Sequence, residues 1–565
     1  MAQTLKHPFG EQAAGFGLDT LEVRTLSEAL DRAAGTFGTK PALTTILPNG
    51  AQTTITYAEL KAHAEAFAVY LREKLGLAAG ETVAIMSPNC IGFCVASLGI
   101  AKAGCVGTNV NPLYTPAELE HQLTHSKAKA IVIIDVFGDK LDEVIAQTQV
   151  RHVVTLSVAD FFPTLKKTLL KFVLKRVRKV IPAMTTAATP MAEALAAGRA
   201  QMASSDIAAY TRDTTGDTPA LLQYTSGTTG RSKGAVLSHQ AILANAEQGR
   251  LMTVGTLRDG EEVALVALPL YHITAFSLIF VSGMSVGAHG ILVPSPRPPS
   301  NLKAAFEAYR ITWFTGINTL FAALMAEPWF DRALFADIRF CGSGGAAQQT
   351  GVAQKWQEMT GVEILQGYGM TEVSGILTFN PPGANRLGKV GVPAPGSDIR
   401  IVDDAGKDVA AGEPGEVIGR SPGMMDSYLD NPEATAEVMQ DGWYHSGDIG
   451  VMDADGYLEI VDRKKDMILV SGFNVSPNEI EDAISTVAGV VQVGVIGIED
   501  AKTAEAPAAF VVRADESVTE EQILEACRAR LTNYKVPKVI RFVDEVPVTL
   551  SGKVLRRQLR DEYVA

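Results

Sequence analysis

Tyr224-Thr-Ser-Gly-Thr-Thr-Gly-Arg-Ser-Lys-Gly234 joins two apolar runs, Leu221-Leu222 before it and Ala235-Val236-Leu237 after it. This predicts strand, glycine loop, strand. Within the loop, glycines let the backbone turn N–H groups toward an anion, Ser226, Thr228 and Thr229 add hydroxyl donors, and Lys233 adds positive charge. The stretch therefore suits phosphates, although the same composition also suits a flexible Gly/Ser/Thr surface loop. Ordinary P-loop chemistry does not fit, because counting G-x-x-x-x-G-K from Gly227 puts Ser232 where glycine is required.

Upstream, strands and helices alternate. Thr56-Tyr-Ala-Glu59 has the spacing of a capping box, and Leu60, Ala64, Phe67 and Leu71 follow at helical intervals. Thr115-Pro-Ala-Glu118 repeats the signal with proline at the first helical position. Val83–Met86, Val106–Val110 and Ala130–Ile134 are continuous apolar runs, the pattern of parallel strands covered on both faces, so the fold class is α/β, built from βαβ units. Val263–Pro296 holds no charged residue and is long enough to cross a bilayer. Pro269, Tyr271, His272, Thr274, Gly283, Gly287 and Gly290 interrupt it, which predicts a strand, a loop, a core helix and another strand instead.

Past Gly415 the pattern changes to short strands and turns, and the C-terminal part reads as a small α+β domain. There, Ser476-Pro-Asn-Glu479 starts a helix, Val491–Gly497 and Ala508–Val512 are strands, and Glu520–Leu531 is a helix. The charged run Asp462-Arg-Lys-Lys-Asp466 is the natural linker.

A chain of 565 residues exceeds one compact core and implies roughly two to four domains. With 47% hydrophobic and 20% charged residues it is an ordinary globular chain, and its net charge of -13 argues against a general role on nucleic acid. Five cysteines without a C-x-x-C pair suggest neither a disulfide framework nor a zinc site. The start, M-A-Q-T-L-K-H-P, has neither signal-peptide nor transit-peptide character, so a cytoplasmic location is expected. Leu165–Val180 stands out, with seven basic residues, no acidic one, and Leu165, Leu169, Phe172, Val173 and Val177 at helical spacing. Such a helix either lies on an anionic membrane surface or packs on its own domain with a solvated basic face.

Two further clusters bear on chemistry. Gly342-Ser-Gly-Gly-Ala-Ala347 fits G-x-G-x-x-A with Glu363 about 20 residues on, which raises a dinucleotide site and an NAD(P)-dependent oxidoreductase. Leu365-Gln-Gly-Tyr-Gly-Met-Thr-Glu372 places an aromatic, a hydroxyl and a carboxylate after one apolar strand, and the carboxylate suits Mg2+ bound to phosphates. The tail, Leu550-Ser-Gly-Lys-Val-Leu-Arg-Arg557, taken alone reads as a solvated basic terminus.

Taken in order, Y-T-S-G-T-T-G-R-S-K-G, Q-G-Y-G-M-T-E, Y-H-S-G-D at 444–448, D-R-K-K-D and S-G-K-V-L-R-R resemble the adenylate-forming superfamily over nearly the whole chain. Asn109–Leu123 and Asp462–Asn474 are similar, more narrowly, to bacterial long-chain fatty-acyl-CoA synthetases. The resemblance implies ATP, Mg2+ and coenzyme A, with a medium- to long-chain fatty acid as substrate. Its nearest rival is an aryl- or short-chain-acyl-CoA ligase of the same superfamily.

The resemblance also implies roles. Thr225, Ser226, Gly227, Thr228, Thr229, Gly230 and Lys233 would hold the β- and γ-phosphates, Thr228 also reaching the metal with Glu372. Gly344, Gly345 and Ala346 would flank adenine, Tyr368 would stack on it, and Gln366, Gly367 and Gly369 would complete the nucleotide wall. Thr371 would bond the α-phosphate, and Asp448 and Arg463 the ribose. Lys553 would bridge the carboxylate and α-phosphate, with His272 and Tyr271 beside the acyl carboxylate and Phe276 and Gly316 in the acyl pocket. Lys465 matches the family hinge, dividing the chain into 1–464 and a mobile 465–565, and Ser471, Gly472 and Phe473 would meet coenzyme A. One departure is Ala347, where relatives often carry proline. A homodimer is a further expectation.

Overall fold

Local signals nucleate the helices where the spacing places them. At Thr56 and Thr115 each hydroxyl accepts from the N–H three residues on, of Glu59 and Glu118, while each glutamate accepts from the threonine N–H. The apolar runs Thr82–Met86, Val106–Val110 and Ala130–Ile134 form adjacent parallel strands buried along their whole length. The computed structural model describes residues 8–225, 232–463, 466–470, 473–500, 502–549 and 552–563.

Among the described residues the strands make four sheets. An eight-stranded sheet runs through Ser427–Tyr428, Gly234–Ser238, Pro219–Tyr224, Val106–Val110, Thr82–Met86, Ala130–Ile134, His152–Leu156 and Thr189–Pro190. A nine-stranded sheet runs from Val392–Pro393 through Leu365–Tyr368, Phe340–Ser343, Trp313–Gly316 and Val263–Val266 to Gln52–Thr56. A third sheet carries Pro414–Arg420, Trp443–Met452 and Leu458–Arg463, which are not the short strands expected there, and a last sheet spans Ile468–Val470 to Val539–Phe542. That last sheet and the helices Pro477–Ser485 and Glu520–Arg530 have their own apolar core, which includes Val495, Val511, Ile480 and Ile523. The architecture is thus α/β, with a large N-terminal domain and a smaller C-terminal one.

The uncharged Val263–Pro296 folds as its interruptions predict: strand Val263–Val266, helical turns from Ile273 to Ser285, strand His289–Leu292. Among the described residues no helix is long and apolar enough to cross a membrane. All five cysteines are free and buried.

Two charged side chains are buried. Asp462, at the start of the expected linker, lies near the end of strand Leu458–Arg463, only 1% exposed, and accepts from Ser476 Oγ (2.9 Å) and the Asn478 N–H (3.1 Å) at the start of helix Pro477–Ser485. A carboxylate at a helix N-terminus is stabilised by the unpaired N–H groups there. The basic tail is not wholly solvated, since Arg556 is buried and reaches Glu481 Oε1 (2.9 Å), Asn478 Oδ1 (2.8 Å) and the Val495 carbonyl (3.1 Å).

Candidate active site

The strands on either side of the glycine stretch, Pro219–Tyr224 and Gly234–Ser238, pair antiparallel, and the Thr225 N–H donates to the Lys233 carbonyl (2.9 Å). Two histidines of helix Pro116–His125 brace its base. His121 Nε2 meets the Ser232 carbonyl at 3.0 Å, and His125 Nδ1 meets the Tyr224 hydroxyl at 2.7 Å. Ser427–Tyr428 pairs alongside Ala235–Val236 and brings the Tyr428 ring to 5.0 Å from Lys233 Nζ, within cation–π range.

Tyr428 also ties the loop to the carboxylate. Its hydroxyl donates to Glu372 Oε1 at 2.6 Å, and Glu372 is 8% exposed. The turn around Glu372 is held from behind by Asn245, whose amide donates to the Val373 (3.4 Å) and Ile376 (3.2 Å) carbonyls. Gly369 packs directly on this turn: a Cβ there would lie 2.1 Å from the Gly375 carbonyl oxygen, so only glycine fits. Thr371 opens the short helical turn Thr371–Val373.

A second cluster follows strand Leu365–Tyr368, which carries Gln366 and Gly367. The Tyr368 hydroxyl donates to Asp448 Oδ2 (2.6 Å), and Arg463 Nε lies 3.4 Å from Asp448 Oδ1. Lys553 joins them from the C-terminal domain. Burial, with the Arg463 guanidinium adding to it, pulls its ammonium down to about 8, against the pull of Asp448. The turn before Lys553 touches the large domain: Gly552 has φ +81, and a Cβ on it would meet Ile317 Cδ1 at 2.9 Å and Thr319 Oγ1 at 3.3 Å. Behind it, the Thr350 N–H donates to Asp482 Oδ1 (3.1 Å), holding helices Thr350–Thr360 and Pro477–Ser485 together.

On the apolar side, His272 caps the turn at Ile273, its Nδ1 accepting from the Thr274 N–H (3.4 Å), and burial lowers its pKa, so the ring is neutral with its proton on Nε2. The Tyr271 carbonyl accepts from Gln223 Nε2 (3.1 Å), which links this segment to the hairpin strand. Phe276 is buried against Phe280 (5.8 Å between rings), and Gly316 ends the adjoining strand with Phe321 pressed on it.

The buried carboxylate of Glu372 held by Tyr428, and that of Asp448 with Tyr368, Arg463 of the large domain and Lys553 of the small one, are groups suited to a nucleotide. A model of the AMP-binding enzymes matches residues 30–429, and one of the AMP-binding enzyme C-terminal domain matches residues 479–553. The chain belongs to the AMP-binding enzyme family. Within it, a long-chain-fatty-acid–CoA ligase of Yersinia pestis is 43% identical over 513 residues, 90% of each chain. One of Salmonella typhimurium is 40% identical over 542 residues, 95% of this chain and 94% of its own. Among solved structures, an anthranilate CoA ligase in complex with anthranoyl-AMP superposes with a TM-score of 0.83 at 26% identity, covering 97% of this chain and 99% of its own.

For this AMP-binding enzyme the dinucleotide reading loses its footing. Gly344, Gly345 and Ala346 sit in a loop after strand Phe340–Ser343, and helix Thr350–Thr360 begins only later, so the glycines do not open a helix. Glu363 is exposed on the surface, bonded by Gln357. Ser226, Gly227, Thr228, Thr229, Gly230, Lys465, Ser471 and Gly472 lie outside the described residues. Phe473 is not at the cluster: it is 58% exposed and stacks on Tyr534 (4.9 Å). Sequence reasoning missed Tyr428, Asn245, His121, His125 and Arg556. Only His121 and His125 carried a signal, a pair four apart on one helix face.

Proposed function

We propose that this enzyme ligates medium- to long-chain fatty acids to coenzyme A in two steps. A fatty-acid carboxylate oxygen bonds to the α-phosphorus of ATP as the bond to pyrophosphate breaks, giving acyl-AMP. The coenzyme A thiolate then attacks the acyl carbon, and the carbon–oxygen bond to AMP breaks. The observation that carries the reading is the buried Lys553, within electrostatic reach of Arg463 and Asp448, next to Gly552, which lies against Ile317 and Thr319. The fatty-acid class is supported by the long-chain relatives, 43% and 40% identical over 90% and 95% of this chain, against a feruloyl-CoA synthase 38% identical over 61% of it and an anthranilate CoA ligase at 26%.

In this scheme Asp448 and Arg463 orient the ribose, Tyr368 and the 344–346 loop flank adenine, and Thr371 bonds the α-phosphate. Thr225 to Gly230 and Lys233 hold the departing pyrophosphate. Lys553, when protonated, bridges carboxylate and α-phosphate as charge redistributes. Neutral His272 and Tyr271 flank the acyl carboxylate, while Phe276 and Gly316 shape the chain's path. Glu372 fits Mg2+ that arrives on nucleotide phosphates: among the described residues no group of three or more acidic, His or Cys side chains converges, and Mg2+ is commonly held by one or two carboxylates plus phosphates. Glu372, with Thr228, would hold that ion, which neutralises phosphate charge when bound.

The second step needs a different face of the C-terminal domain, so we assign 465–565 as a mobile unit turning about Lys465 to bring Ser471, Gly472 and Phe473 to the site. The same reading makes the enzyme cytoplasmic, homodimeric and able to meet anionic membrane through residues 165–180. The test is pyrophosphate release with coenzyme A present, across straight-chain acids of increasing length and cinnamate-type acids. Turnover that rises along the straight-chain series is expected. Turnover on aryl acids alone would overturn the substrate class.

A further inference from the structure

Helix Thr164–Phe172 and the wider turn Val173–Val177 that continues it sit on the molecule the opposite way round from an ordinary surface helix. The side toward the protein carries Lys167 and Lys171, whose ammonium groups lie 3.1 Å and 2.8 Å from Asp160 Oδ1, a carboxylate only 3% exposed. Asp160 is fixed in turn by the Ser157 N–H, which donates to its Oδ2 at 2.7 Å. Leu170 and Leu174, at the same helical spacing, are half-buried. The outer side carries the apolar ridge instead: Leu165 is 88% exposed, Leu169 63% and Phe172 58%, with Val177 at 63%. No residue of the helix is buried.

A helix that packs on its own domain buries its apolar stripe and leaves its charges in water. Here two lysines are used as tethers and the apolar ridge faces outward. Lys175, Arg176, Arg178 and Lys179 are exposed beside that ridge. Exposed apolar side chains bordered by cations match the boundary between lipid headgroups and acyl chains. The remainder of the molecule sharpens the match. With a net charge of -13 overall, an anionic surface repels it in most orientations, so this locally basic segment also selects which face approaches.

We propose that residues 164–180 dock the protein on an anionic lipid surface, the Leu165–Leu169–Phe172 ridge entering the acyl boundary while the basic cluster meets the headgroups. Asp160, through Lys167 and Lys171, holds the helix with its ridge outward. This extends the membrane contact named above by assigning the inserting residues and the tether, and its readout is binding rather than turnover, so the two can fail separately.

The experiment is cosedimentation of the full chain with vesicles of equimolar phosphatidylglycerol and phosphatidylcholine, and with vesicles of phosphatidylcholine alone. The parent is expected to bind the anionic vesicles at least about tenfold more tightly. A ridge variant (Leu165→Ser, Leu169→Ser, Phe172→Ser) and a charge variant (Lys175→Gln, Arg176→Gln, Arg178→Gln, Lys179→Gln) should each lose about tenfold or more, with turnover of water-soluble octanoate unchanged. Phe172→Trp should shift its emission to the blue only on the anionic vesicles. Parent-like binding by both variants, no preference for anionic lipid, or an unshifted tryptophan would overturn the proposal. So would a ridge variant that keeps vesicle binding but changes from dimer to monomer in sedimentation, which would make the ridge a contact between two copies.

Discussion

In the proposed scheme Lys553 acts in the first step through its charge, and that charge is pH-sensitive. Because the ammonium is pulled down to about 8, it is present below that pH and lost above it. The kcat/KM for acyl-AMP formation should therefore fall on the alkaline side with an apparent pKa near 8, a limb read from initial rates of pyrophosphate release. Lys553→Ala should lower that rate by about 10²- to 10³-fold while leaving thioester formation from supplied acyl-AMP intact. The stability sign is opposite: a depressed lysine pKa means the folded state disfavours the proton, so stability rises as pH passes from about 8 toward 10.5. Lys553→Met, which removes that penalty, should melt no lower than the parent at neutral pH. Tyr428 is the other residue to probe. Its bond to Glu372 orients the carboxylate, and Tyr428→Phe should raise the Mg2+ concentration for half-maximal pyrophosphate release by about tenfold, since a hydrogen bond to a charged group is worth about 1.5–3 kcal/mol.

At the scale of elements, hydrogen bonds from Gly552 and Lys553 back to Thr549 position Lys553. The Gly552 N–H donates to the Thr549 carbonyl (2.8 Å) and the Lys553 N–H to Thr549 Oγ1 (3.0 Å), while buried Arg556 pins the following helix to Glu481. Gly552→Ala would place a side chain at positive φ and against Ile317, a strain of roughly 1–2 kcal/mol that favours withdrawal of the turn. Acyl-AMP formation should drop about tenfold and thioester formation from acyl-AMP should not, a split that separate half-reaction assays resolve. These elements also mark what sequence could disclose. The caps at Thr56 and Thr115 were legible because donor and acceptor lie three residues apart. Tyr428 and Arg556 were not, because their partners Glu372 and Glu481 are 56 and 75 residues away and only the fold joins them. The helix at 164–172 was legible as a helix, but its orientation was not, since that depends on Asp160 drawing two lysines inward.

At the scale of the molecule, the βαβ order could be read because buried parallel strands need unbroken apolar runs. How the domains sit could not, since it rests on contacts such as Thr350 with Asp482, 132 residues apart. In this arrangement Lys553 is buried, while Phe473 stacks on Tyr534 in the open. The proposed second step would need the C-terminal domain to turn so that Phe473 meets the acyl-adenylate. Lys465→Pro, which fixes φ, should therefore slow thioester formation far more than acyl-AMP formation, and equal losses in the two half-reactions would remove the hinge assignment. The central claim is that the fatty-acid carboxylate itself attacks the α-phosphorus. The most direct measurement is mass spectrometry of the AMP released when the enzyme turns over palmitate labelled with oxygen-18 in both carboxylate oxygens. The account predicts one labelled oxygen in each AMP and one retained in the acyl-CoA; unlabelled AMP, or a label recovered in inorganic phosphate beside ADP, would contradict it.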